Sequence, residues 1–131
     1  MAARSTATED PYRLHFENRP GYFFVRIVCG DLELKTSKRA VLRVVEELRK
    51  TSHNKLVVEL DVGERLSLAD TFWLAFYYCN LLSEGDRIAV VDGIHGNEEL
   101  NHFADAAANN LDLTRQTFHS VEEAEQWLAP S

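Results

Sequence analysis

Hydroxyl and carboxylate side chains cluster between residues 61 and 71. Asp61 ends an apolar run that begins at Leu56, and Ser67, Asp70 and Thr71 follow. Side chains of these types either cap the amino end of a helix or offer a hydroxyl for phosphorylation. The spacing of Ser67 and Asp70 favours a helix cap. A phospho-switch at Thr71, or failing that at Ser67, is the alternative.

The helix that this cluster opens is apolar nearly all round. We predict it over residues 67–83, with Trp73, Phe76 and Tyr77 between two apolar stripes. Such a helix needs cover on nearly every side, so it is either a buried central helix or part of it forms an interface or a pocket wall. Large aromatic side chains are typical anchors of interfaces. The predicted partner-binding residues are Asp61, Asp70, Trp73, Phe76 and Tyr77.

A glycine-punctuated loop at residues 92–97 follows a short apolar strand. The loop lacks both the glycine spacing of a dinucleotide site and the lysine of a phosphate-binding loop. It contains Asp92 and His95. Because the carboxyl ends of parallel strands share one edge of a sheet, we expect these two residues to rim the same edge as the hydroxyl–carboxylate cluster.

The sequence gives little support for catalysis or for a bound metal. It has no G-x-S-x-G motif, and no activating motif surrounds either cysteine. A helical face of Glu98, His102 and Asp105 is more typical of a solvated surface than of a metal site. We therefore predict no catalytic residue, no metal and no cofactor. An enzyme that acts through strand-end residues is a minor alternative, its candidates being Asp61, Asp70, Asp92 and His95.

Length and charge narrow the class of protein. The chain has 131 residues, which predicts one domain, and we expect residues 1–11 to be a disordered tail and residues 12–131 to be folded. Its formal net charge is -7, which disfavours nucleic acids and anionic membranes as partners because both need a basic surface. No apolar run reaches the roughly 18 residues of a membrane span, and no secretory leader is apparent at the start. Cys29 and Cys79 lie in apolar runs and are predicted to be buried free thiols, as in a cytoplasmic protein.

The elements that must position the polar residues alternate along the chain. Two strands over residues 12–17 and 22–29 form a hairpin around a Pro-Gly turn. Three strands and four helices then alternate, the last strand over residues 111–118. Thr36 or Ser37 is expected to cap the first helix. This order predicts an α/β fold, a mixed and mostly parallel sheet of about five strands with an antiparallel edge hairpin and four main helices.

This order, with an acid–hydroxyl pair at the start of the helix after the third strand, resembles the STAS-like domains of bacterial anti-sigma-factor antagonists. In that family the corresponding stretch is Asp-Ser-Ser-Gly-Leu, and a partner kinase phosphorylates the serine directly after the aspartate. Asp70 matches the aspartate, Thr71 the phosphorylated hydroxyl and Leu74 the leucine. Phe72 and Trp73 replace the second serine and the glycine, whose small size lets a partner approach closely.

The last third of the chain resembles the stand-alone bacterial members of that group, through Val90-Val91-Asp92, Phe103-Ala104, Phe118 and Trp127-Leu128. The resemblance implies a non-enzymatic regulatory module that docks a protein partner, or a second copy of the chain as a homodimer, near the start of the 67–83 helix. The alternative is a small-molecule or lipid-binding module. That module needs a pocket of roughly several hundred Å³, lined by Trp73, Phe76, Tyr77 and Phe103 beneath the 93–96 loop.

Overall fold

The computed structural model describes residues 11–130, which form one sheet with helices on both faces. Apart from Pro11, the predicted tail lies outside the described residues. The strands are β1 (Tyr12–Arg19), β2 (Tyr22–Cys29), β3 (Lys55–Asp61), β4 (Arg87–Val91) and β5 (Thr114–Phe118), and the helices are α1 (Leu34–Arg49), α2 (Leu68–Leu81), α3 (Glu98–Asn110) and α4 (Val121–Leu128). No helix among them is long and apolar enough to cross a membrane.

The sheet follows the chain in simple order, β1-β2-β3-β4-β5. β1 and β2 are antiparallel and are joined by a tight turn in which Gly21 has a φ of +88°, a conformation that glycine adopts without strain. The other strand pairs are parallel. Right-handed crossovers between successive parallel strands place the connecting helices α1, α2 and α3 on one face of the sheet. The predicted α/β architecture with its antiparallel edge hairpin is confirmed.

Each face of the sheet carries its own core, because successive side chains of a strand point to opposite faces. Phe23 and Val25 of β2 join the larger core beneath α1, α2 and α3. Tyr22 and Phe24 of the same strand join a smaller core, which contains Ala124 and Leu128 of α4. Within residues 11–130, three helices therefore cover one face and a single short helix covers the other.

Helix α2 lies between α1 and α3 and packs on the sheet. Ala75 is fully buried and Tyr78 packs against the larger core. Large apolar side chains on the opposite side remain exposed, namely Leu68, Phe72, Trp73 and Phe76. The helix is thus covered on three sides and exposed on the fourth. It is a central helix of the core, and it also presents an apolar surface that is free to contact a partner.

Three local expectations need correction. α1 begins at Leu34, before both predicted capping residues, and the Thr36 hydroxyl instead donates back to the carbonyl of Glu33. β5 begins at Thr114 rather than at Leu111, because α3 continues to Asn110 and Asp112 turns the chain with a φ of +67°. The two cysteines are free as predicted, but both are half-buried rather than buried.

Candidate functional site

Ser67 is the N-cap of α2. Its Oγ accepts a hydrogen bond from the backbone N–H of Asp70 at 3.1 Å, and its carbonyl accepts from the N–H of Thr71 at 2.8 Å. The side chain satisfies one of the N–H groups that a helix start leaves unpaired. Capping therefore accounts for the spacing of Ser67 and Asp70, and it leaves Ser67 exposed at the surface.

Thr71 faces the interior. Its exposed fraction is only 7%, since it lies in the first turn of α2 on the same side as Ala75 and Tyr78. Thr71 is therefore the buried one of the two residues predicted as candidates for a phospho-switch. Ser67, four residues before Thr71, is the exposed one of the two residues.

Four side chains form what we call the apolar face of α2: Leu68, Phe72, Trp73 and Phe76. Their exposed fractions are 39–54%, and that of Trp73 is 54%. The Trp73 ring makes edge-to-face contacts with Phe72 at 5.5 Å and with Phe76 at 6.2 Å between ring centroids. Such contacts hold aromatic rings in a defined arrangement. The face is therefore an ordered apolar surface.

The remaining predicted partner-binding residues lie in different surroundings. Tyr77 is half-buried, and the Lys38 ammonium of α1 lies over its ring at 5.3 Å. Asp61 is exposed at the end of β3 and accepts a hydrogen bond from Arg26 Nη2 at 2.8 Å. Asp70 lies in the first turn of α2, where the helix dipole favours a negative charge.

Asp92 is not part of an exposed rim. Its side chain is 3% exposed and faces Arg65, whose side chain is 11% exposed and whose Nη1 lies 2.9 Å from Asp92 Oδ2. Arg65 comes from the loop before α2, so the loops after β3 and β4 do meet at one edge of the sheet. Arg65 was missed by sequence reasoning, because a single arginine in a polar loop carries no spacing signal.

Two asparagines of the α3 region form hydrogen bonds with the Arg65–Asp92 ion pair. Asn97 and Asn101 donate their side-chain N–H groups to Asp92 Oδ2 at 3.1 and 3.0 Å, and Asn101 Oδ1 accepts from Arg65 at 2.8 Å. Burial alone raises the pKa of Asp92, but hydrogen bonds from Asn101, the N–H of Ile94 and Asn97, with the charge of Arg65, bring that pKa below its ordinary value. Asp92 is thus an ionised structural link between three segments and is screened from water.

His95 is exposed at this edge, as expected, but its neighbours were not predicted. His95 Nδ1 lies 3.5 Å from Glu98 Oε2, and His119 Nε2 lies 3.8 Å from the same oxygen. One ligand atom from each of these residues lies within 4.8 Å of the others, a grouping that can hold a metal ion. Hydrogen bonds from backbone N–H groups, those of Glu98 and Gly96 first, lower the pKa of Glu98. His119 follows β5, so only the folded chain brings it to residues 95–98.

A cavity of about 150 Å³ lies between α1, α2 and the sheet, and α2 lines it through Leu74 and Tyr78. This cavity is not the predicted pocket, because neither Trp73 nor Tyr77 lines it. Ser37 lines the cavity, with a buried hydroxyl that has no hydrogen-bond partner. The cavity is smaller than the roughly 300–1,000 Å³ of most small-molecule sites.

Comparisons with known proteins support the fold. No protein-family model matches the sequence, and no curated protein does. Among solved structures, the chain is similar to the crystal structure of an anti-sigma factor antagonist from Mycobacterium paratuberculosis, with 19% sequence identity and a TM-score of 0.62. The match covers 92% of this chain and 97% of that one. The fold is therefore STAS-like, as the order of elements predicts.

Proposed function

We propose that the protein is a non-enzymatic regulatory module that docks a protein partner on the apolar face of α2. The observation that carries the proposal is the exposure of Leu68, Phe72, Trp73 and Phe76 on one helix turn after another. Singly exposed apolar residues need no explanation, whereas a contiguous apolar patch marks an interaction site. The STAS-like fold supports the proposal, since the similar solved structure is that of an anti-sigma factor antagonist.

The apolar face has the properties of a binding hot spot. Trp73 is central, and Phe72 and Phe76 contact its ring edge-to-face on either side. Rings that are already ordered lose little conformational freedom when a partner covers them. Burial of a central tryptophan typically contributes about 2 kcal/mol or more to binding.

The charge around this face favours a different protein over a second copy of the chain. Asp70 lies in the first turn of α2, at the amino end of this face, and the chain carries a net charge of -7. Two copies that meet through this face bring acidic groups together, and like charges across an interface oppose association. A partner with an apolar groove edged by lysine or arginine is complementary to it.

Ser67 is our proposed phosphorylation site. Ser67 is exposed at the edge of the apolar face, whereas Thr71 is a buried residue. A phosphate at the amino end of α2 is compatible with the helix dipole. The added negative charge beside Asp70 changes the docking surface without disturbing the core, which is the behaviour of a switch.

Site-specific photo-crosslinking tests the docking proposal. A photoreactive phenylalanine analogue is placed at position 73 in the native host, and at position 122 as a control, since Glu122 is exposed on α4, on the other face of the sheet. We expect one protein partner to crosslink at position 73 and not at 122. Crosslinks between two copies of the chain alone contradict the choice of partner, and no crosslink at position 73 contradicts docking.

The purified partner then permits a quantitative test by calorimetry. We expect Trp73→Ala to weaken binding by about 30-fold, the equivalent of the roughly 2 kcal/mol of a hot-spot residue, and Glu122→Ala, on the other face of the sheet, to leave it unchanged. Ser67→Glu is expected to weaken binding by about 10-fold, while Ser67→Ala retains it. Equal affinities of the wild type and Trp73→Ala contradict the docking site. Equal affinities of the two Ser67 variants contradict the switch.

A further inference from the structure

We propose that His95, Glu98 and His119 form a binding site for one divalent transition-metal ion, with Zn²⁺ as the best match. His95 belongs to the loop after β4, Glu98 is the first residue of α3, and His119 follows the end of β5. The three ligand atoms come from two segments, residues 95–98 and His119, which converge only in the folded protein. The site shares no residue with the apolar face of α2, and the proposal does not depend on the proposed function.

The spacing of the ligand atoms matches a tetrahedral ion. Ligands about 2.1 Å from a tetrahedral zinc ion lie about 3.4 Å from one another. The distances from Glu98 Oε2 to His95 Nδ1 and to His119 Nε2 are 3.5 and 3.8 Å. Small rotations of exposed side chains therefore bring the three atoms around one centre.

The chemistry of the donors selects the ion. Two imidazoles and one carboxylate are a common zinc ligand set, and three protein ligands leave the fourth position for water. Mg²⁺ and Ca²⁺ prefer an all-oxygen set, so these histidines disfavour them. The first turns of α3 and α4 add further acidic side chains that favour a cation, namely Glu99, Glu122 and Glu123.

Hydrogen bonds around the site hold two of the ligands in the form that binds a metal. His119 Nδ1 lies 3.2 Å from the carbonyl oxygen of Asp92. A carbonyl only accepts, so Nδ1 carries the proton and Nε2 presents its lone pair toward Glu98. Glu98 Oε1 accepts from the N–H of Gly96 at 2.8 Å, which leaves Oε2 directed at both imidazoles. Metal-binding histidines usually have such a partner on the second ring nitrogen.

Calorimetric titration of the full chain with ZnCl₂ tests the site. The protein carries no affinity tag, and the buffer does not bind zinc. We expect one ion per chain in the wild type. His95→Ala and His119→Ala are each expected to weaken zinc binding by at least about 10-fold. Loss of a residue that only hydrogen-bonds to a metal ligand already weakens metal binding by about that factor. Glu98→Gln keeps the shape of the side chain and tests the charge.

His102→Ala is the matched control, since His102 is exposed on α3 and lines the same groove as Glu98 and His119. We expect it to bind Zn²⁺ like the wild type. Thermal unfolding followed by circular dichroism provides a second readout. Zn²⁺ is expected to raise the Tm of the wild type and of His102→Ala, but not that of the His95→Ala/His119→Ala double variant. The proposal fails if the wild type binds no zinc, or if the folded double variant binds it equally well.

Discussion

At the residue scale, Asp92 shows how one side chain joins distant parts of the chain. Its carboxylate pairs with Arg65 from the loop before α2 and accepts from Asn97 and Asn101 in the α3 region. A carboxylate with this many partners is ionised at neutral pH. Its replacement lowers the free energy of unfolding, because all of its donors lose their acceptor at the same time. Its role is to hold the edge of the sheet where Ser67 and His95 lie.

We predict that Asp92→Asn lowers the free energy of unfolding by about 3–5 kcal/mol, because it leaves the shielded Arg65 charge without its counter-ion. Urea denaturation at neutral pH measures the change. Asp61→Asn is the matched control, since Asp61 pairs with Arg26 at the surface, where both side chains are about half exposed. That change is expected to cost at most about 1 kcal/mol. Equal losses in the two variants contradict the assigned role of Asp92.

At the element scale, α2 has one face whose direction its own sequence does not determine. A helix that is apolar nearly all round has no polar side to indicate which face meets water. The neighbours decide: α1 and α3 flank it, the sheet lies beneath it, and the apolar face remains. The sequence therefore predicts either a buried helix or one with an exposed contact surface. Only the packing shows that Trp73 and Phe76 point outward while Tyr77 does not.

A pair of aspartate substitutions tests this orientation. Ala75→Asp places a charge where no surface is exposed, and we expect it to prevent stable folding. Trp73→Asp changes a side chain that is 54% exposed, so we expect its effect on the free energy of unfolding to stay within about 1 kcal/mol. Circular dichroism and urea denaturation of both variants provide the measurement. Loss of folding in Trp73→Asp indicates instead that the apolar face is covered.

At the scale of the whole molecule, local sequence patterns predict the strands and helices well, but they do not predict contacts between residues that are distant in the sequence. Apolar runs and turn residues predict the sheet and its helices, and the spacing of Ser67 and Asp70 predicts a cap, because those signals act within a few residues. The meetings of Arg65 with Asp92 and of His119 with Glu98 depend on which loops share an edge of the sheet. The N-cap of α1 is Glu33, three residues before Thr36, the nearer of its two predicted caps, and α3 extends one residue beyond its predicted end at Asn109.

The two faces of the sheet differ in how they are covered. α4 has eight residues, too few for a stable isolated helix, so it persists only by docking on the smaller core. Its last turn is held through Lys55, which donates to the carbonyl of Leu128 at 2.8 Å, and Arg87, which donates to that of Trp127 at 3.2 Å. These contacts tie α4 to β3 and β4, but no other helix of residues 11–130 packs on the smaller core.

We therefore predict that α4 opens before the rest of the molecule. Native-state hydrogen exchange is expected to give its amides a lower opening free energy than those of β3. Leu128 is 2% exposed, and Leu128→Ala is expected to remove about 2–5 kcal/mol from the docking of α4, so that its amides lose protection first. Glu122→Ala, an exposed change on the same helix, is the control and leaves the pattern unchanged. If α4 and β3 exchange with one common free energy in both variants, the smaller core is not an independent unit and the molecule opens only as a whole.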